Sequence, residues 1–159
     1  MTRVRLDVPV EVEAPAHVVW LAVTDWERQS EWMLGTRVEV TSPGEGRRLG
    51  ATLRAVTGVG PLGFADPMEI VEWTVPNGEG PHRCVVRHAG RVLRGDGVFE
   101  VVPLGAARSR LVWSELLDIP LGTLGRVGWL LAQPVAGAGV LLSLRRFARF
   151  CEAEYRASA

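Results

Sequence analysis

Val4, Leu6, Val8, Val10 and Val12 alternate with Arg3, Arg5, Asp7, Pro9, Glu11 and Glu13 at the start of the chain. Successive side chains of an extended strand point to opposite faces, so this run predicts a strand with one buried and one wet face. Pro9 cannot donate a ladder hydrogen bond and falls on the polar phase, which predicts an edge strand or a bulge. The period then changes. Ala14-Pro15 opens a helix, since proline suits a first turn whose N–H groups lack partners anyway. Val18, Val19, Leu21, Ala22 and Val23 continue it, with Trp20 as a large contact. Thr24-Asp25 breaks this helix and caps a second short one, Trp26 through Met33, which stops at Gly35.

The remainder reads as strands and one long helix. Val38 and Val40 alternate in a strand bounded by Ser42-Pro43-Gly44, and Leu49, Ala51, Leu53 and Ala55 share one phase of the next. A loop over Gly58–Gly63 leads to a strand at Pro67–Val75, closed by turn chemistry at Pro76-Asn77-Gly78. Strands at about Arg83–Ala89 and Arg91–Val102 meet near Gly90, and Pro103-Leu104-Gly105 turns the chain into Arg110–Ile119. Thr123 is the expected N-cap of a helix running to about Tyr155. Pro134 should kink that helix or split it. Arg145, Arg146, Arg149 and Arg156 crowd its last turns, where cations favour the helix dipole.

Strand, two short helices, six strands and a terminal helix is an antiparallel α+β order. Its hairpin-length connections exclude a parallel, doubly wound sheet. A sheet with one apolar face must cover it, and only the terminal helix is long enough. The expectation is a single domain over residues 1–159.

Composition narrows the function classes. The chain is 47% hydrophobic, and its 18 basic and 18 acidic residues cancel, giving no electrostatic reason to expect nucleic acid or an anionic membrane as partner. Every basic residue is Arg, so lysine Schiff-base chemistry is excluded. Cys84 and Cys151 fit no metal spacing and read as buried reduced thiols. His17, His82 and His88 lack ligand spacing, so neither a metal nor another cofactor is expected. No serine sits in a nucleophile elbow. No charge occurs between Arg126 and Arg145, but Gln133, Pro134, Gly137, Gly139 and Ser143 lie there, and the stretch reads as a buried helix rather than a membrane span. The N-terminus shows no apolar signal segment. A cytoplasmic monomer or homodimer without membrane insertion is expected. The Gly58–Gly63 loop is followed by no helix and is not a phosphate cradle. A mobile lid and an ordinary hairpin both remain open.

Three segments carry a family resemblance. "VEVEAPAHVVWLAVTDWERQSEW", Val10 to Trp32, resembles the opening of the START-like, or SRPBCC, superfamily. "SRLVWSELLDIP" from Ser109 resembles its last strand, and "SLRRFARFCEAE" from Ser143 its terminal helix. The bacterial polyketide cyclase/dehydrase and lipid-transport branch is the most similar. One departure is Gln29-Ser30, where relatives often carry Trp-Pro. The resemblance implies a helix-grip fold: a curved antiparallel sheet of about seven strands around a long C-terminal helix, enclosing a cavity between them.

Strand phase assigns inward residues on that frame. Arg83 and Arg87 face water, which sends Cys84, Val86 and His88 inward. Glu100 faces out, so Leu93, Phe99 and Val101 face in. Leu111, Trp113, Glu115 and Leu117 share a phase that the resemblance puts inside. The 67–75 strand is ambiguous, because each phase carries one glutamate. Ala136-Gly137-Ala138-Gly139, mid-helix, either permits close packing or leaves space. The expected ligand contacts are Trp113, Phe99, Leu111, Leu117, Val86, Trp73, Leu131 and Val135, with Trp129 near a portal. His88 and Glu115 are the candidate catalytic pair: burial lowers a histidine pKa and raises a carboxylate's, while pairing opposes both. Three functions stay open. The first is a binder of a small lipid or polyketide-like molecule, the second a polyketide aromatase/cyclase working by acid–base steps, and the third a protein-interaction module.

Overall fold

The computed structural model describes residues 1–91 and 93–159. Strand β1 (Thr2–Val12) is followed by helix α1 (Ala16–Val23) and a 3-10 turn at Trp26–Glu31. Then come β2 (Thr36–Val40), β3 (Thr52–Thr57), β4 (Phe64–Thr74), β5 (His82–His88), β6 (Gly95–Gly105) and β7 (Arg108–Ile119), and the chain ends in helix α2 (Gly122–Ser158). Val92, which the sequence places in a strand beginning at Arg91, lies outside the described residues.

The sheet has seven strands in the order β1-β7-β6-β5-β4-β3-β2, every neighbouring pair antiparallel. Five hairpins lay β2 to β7 side by side, and β1 closes the row against β7 from Thr2↔Ile119 to Val12↔Ser109. The Pro9 strand is therefore an edge, as its missing N–H requires.

Strand phase decides which face is covered. Val12, Leu53, Ile70, Val101 and Leu111 are fully buried on the inner face, against Leu144 and Phe147 of α2. The two-phase ambiguity of β4 has a physical origin. The register slips between Ile70 and Glu72, a bulge that moves one extra residue into the strand. Asp66, Met68 and Ile70 face in before it, and Trp73, paired with Cys84, faces in after it. Gly95 opens β6 at φ +126°, and a Cβ there would stand 1.9 Å from the Leu116 carbonyl oxygen, so only glycine lets the strand begin beside β7.

Helix α2 departs from the sequence reading in three ways. It runs unbroken through Pro134. The proline is exposed, so the carbonyl it leaves without an N–H partner can be met by water. The helix starts after Leu121, a left-handed residue at φ 68°, and Thr123 is not its cap. Finally, only the second half is core: Ser143, Leu144, Phe147, Ala148 and Cys151 are buried. The sheet curls round that half. The apolar first half, expected to be buried, exposes Leu124, Leu131 and Val135 at 79%, 76% and 77%. By length and composition α2 is the one helix among the described residues able to cross a membrane. Cys84 and Cys151 are buried free thiols, and burial pushes both up to about 12.

Candidate functional site

The uncovered first half of α2 leaves a cavity of about 440 Å³ beneath it. Its floor is the inner face of the sheet, with Leu53, Ala55, Met68, Val86, Phe99, Trp113 and Leu117. Trp129, Ala136, Gly139, Val140 and Ser143 of α2 form the roof, and Gln29, Met33 and Leu34 close one end. Ala136 and Gly139 thus leave space here, while Gly137 lies close against Leu6 of β1.

One cluster of ionisable groups interrupts this wall among the described residues. Asp66 of β4, His88 of β5 and Glu115 of β7 all line the cavity. His88 Nδ1 lies 2.6 Å from Asp66 Oδ2, and its Nε2 lies 3.2 Å from Glu115 Oε2. Trp113 Nε1 donates to Glu115 Oε1 at 2.7 Å. Strands β5 and β7 are separated by β6, so the two backbones run roughly 10 Å apart. Gly97, paired with both Val86 and Glu115, makes the bridge possible. A Cβ there would come within 3.3 Å of His88 Nε2 and 3.5 Å of Glu115 Oε1. Gly90 plays a matching part over Asp66, whose Oδ1 is buried without a hydrogen bond.

Burial lowers the pKa of His88, but the hydrogen bonds to Asp66 and Glu115 and the charges of both carboxylates outweigh it and raise it to about 10. The ring is an imidazolium at neutral pH. Both N–H groups are then donors, each committed to a carboxylate. Glu115 is the group of the cluster that reaches the open space, with 19% of its side chain exposed.

Of the expected contacts, Trp113, Phe99, Leu117 and Val86 line the cavity together with His88 and Glu115. Four do not. Leu111 is fully buried in the core nearer the second half of α2. Trp73 packs against Trp20 with ring centroids 4.8 Å apart and planes tilted by 51°, because the β4 bulge re-aims it toward α1. Leu131 and Val135 are largely exposed and are not among the α2 residues that line the cavity. Asp66 was missing from the sequence reading. Its signal was only a phase argument: Asp66, Met68 and Ile70 alternate once the strand is extended back to Phe64.

Structural comparison places the chain among known helix-grip proteins. Zhui aromatase/cyclase from Streptomyces sp. R1128 superposes with a TM-score of 0.76 at 15% identity, covering 99% of each chain. A START superfamily protein from Mycobacterium smegmatis gives 0.66 at 16% identity, over 98% of this chain and 99% of that one. A solution structure from Thermobifida fusca gives 0.67 at 25% identity over 92% of each. No curated protein matches the sequence significantly. Residues 3–152 match the family described as polyketide cyclase / dehydrase and lipid transport, and with nearly its whole length inside that match the chain belongs to this START-like family.

Proposed function

We propose that the chain, as one domain over residues 1–159, binds a small and mainly hydrocarbon molecule in the cavity beneath α2. The observation that carries this reading is a mainly apolar void of about 440 Å³ with one cluster of ionisable groups among its described lining residues. Small-molecule sites typically occupy about 300–1,000 Å³ and pair an apolar lining with a few placed polar groups. A family that spans cyclases and lipid transport agrees with such a pocket.

A blocking variant tests it. A Cβ built on Gly139 meets nothing within 4 Å, and the residue faces the cavity. Gly139→Leu therefore carries its side chain toward the void and replaces a mid-helix glycine, which is worth about 0.5–1 kcal/mol to the helix. Titration with 2-naphthalenemethanol is expected to show at least a tenfold loss of affinity, with a melting temperature unchanged or raised. Unaltered affinity places the ligand elsewhere.

The cyclase reading has one observation in its favour, the Asp66–His88–Glu115 chain of hydrogen bonds. Abstraction of a proton next to a ketone by Glu115 also needs a donor for the developing enolate oxygen. Around the cluster the candidate donors are spent: both His88 N–H groups face carboxylates and the Trp113 N–H goes to Glu115. The wild-type chain is accordingly expected to bind a poly-β-ketone analogue without converting it, as followed by absorbance and mass spectrometry. Conversion that disappears in Glu115→Gln replaces the carrier reading with the cyclase one.

A further inference from the structure

We infer that the cavity, on the reading that it binds a ligand, selects a neutral apolar molecule carrying a hydroxyl donor and rejects carboxylates. The argument is an inventory of hydrogen-bonding capacity. The chain has no lysine, and no arginine is among the described residues lining the cavity. The Gln29 amide donates to the Val23 carbonyl at 3.2 Å. The Thr36 and Thr57 hydroxyls bond each other at 3.0 Å. Ser143 Oγ accepts from the Leu34 N–H. With the His88 and Trp113 donors also engaged, the buried polar wall offers an entering group no free cation and no free charged donor.

It does offer acceptors. Each oxygen of an ionised carboxylate can accept about two hydrogen bonds. Glu115 receives one at each oxygen, from Trp113 and from His88, so half its capacity remains and faces the space. The cluster sets two carboxyl groups against a single imidazole. A fatty-acid-like head group would be buried beside two carboxyl groups with no cation among the described lining residues to pair with it, only neutral donors such as the Ser143 hydroxyl and the Trp129 indole N–H, which is costly in an apolar enclosure. An alcohol or phenol donates its proton to Glu115 in a charge-assisted bond. The surplus of acceptors, not the shape of the void, sets the head group.

Three molecules with one ring skeleton test this: 2-naphthalenemethanol, 2-methylnaphthalene and 2-naphthoate, titrated into the wild-type chain by calorimetry at pH 7. The alcohol is expected to bind about tenfold more tightly than the hydrocarbon and at least tenfold more tightly than the carboxylate. In Glu115→Gln the penalty on 2-naphthoate is expected to shrink to threefold or less. Equal affinity for alcohol and carboxylate, or for alcohol and hydrocarbon, in the wild type overturns the inference while leaving ligand binding intact. Absence of binding by all three overturns the underlying reading instead. The wild-type series decides the matter even if Glu115→Gln does not fold, and an unchanged naphthoate penalty in a folded Glu115→Gln removes Glu115 as its cause.

Discussion

Replacing His88 by alanine is expected to cost about 3–5 kcal/mol of folding stability at neutral pH, because it leaves the buried Asp66 and the half-buried Glu115 without the ring that bridges them. Only 6% of the His88 side chain and 5% of that of Asp66 are exposed, so water cannot take over the role of the ring. The cost has a pH signature. Burial lowers the His88 pKa, but the two carboxylates win and raise it from 6.5 to about 10. A group raised on folding stabilises fully below its unfolded pKa, and this stabilisation is lost as pH climbs through the folded one. The window opens near pH 6.5 and closes near pH 10. Above about 9 the buried thiols Cys84 and Cys151 begin to contribute a loss of their own, so the useful range ends at about pH 8.5. Across it the wild type is expected to lose roughly 2 kcal/mol, a little over 1 kcal/mol per pH unit. His88→Ala should be nearly flat over the same range. Urea denaturation at pH 6.5, 7.5 and 8.5 measures both slopes. Equal slopes mean that His88 is not held as an imidazolium.

The same cluster shows where sequence reading succeeds and where it stops. Alternation sends His88 inward, since Arg83 and Arg87 fix the wet phase on β5, while the inward phase of Glu115 on β7 rests on the family resemblance. It cannot tell that Gly97 is the gap letting the two meet across an intervening strand, because a glycine in a strand reads only as a weak position. Asp66 was lost for a different reason. It follows a glycine-rich loop and precedes Pro67, a setting in which aspartate ordinarily marks a turn. The partner that changes the chemistry of His88 was thus hidden in a segment read as loop. With it absent, His88 and Glu115 look like a balanced acid–base pair; with it present, the histidine becomes a locked cation.

Bulges and helix faces set the other limit. The β4 bulge after Ile70 carries no residue signature of its own, so the two phases of the 67–75 strand look equal in sequence, and nothing there points Trp73 toward Trp20. The fold itself was legible, because seven strands and a terminal helix follow from period and turn chemistry. The facing of α2 was not. From Val127 to Leu144 the helix is apolar on every side, so periodicity cannot separate a roof residue such as Val140 from an outward one such as Val135.

Phe147→Ala and Leu131→Ala put that distinction to a direct measurement, since both truncate a large apolar side chain of one helix. Phe147 is 0% exposed and Leu131 is 76% exposed. The Phe147 ring packs edge-on against Trp32 at 4.9 Å, and Trp32 in turn meets Trp113 at 6.2 Å, so the ring belongs to an aromatic chain that joins α2 to the cavity wall. Removing it forfeits the transfer energy of the ring and leaves a hole among residues too well fixed to close it, about 3–5 kcal/mol. Leu131→Ala removes side-chain surface that already touches water, and the expected change is within about 0.5 kcal/mol. Guanidinium denaturation of both variants at pH 6.5, where His88 contributes in full, gives the comparison without interference from the polar cluster. A loss for Leu131→Ala approaching that of Phe147→Ala means that the first half of α2 is covered in solution by another surface, and the roof of the cavity then has two sides to account for.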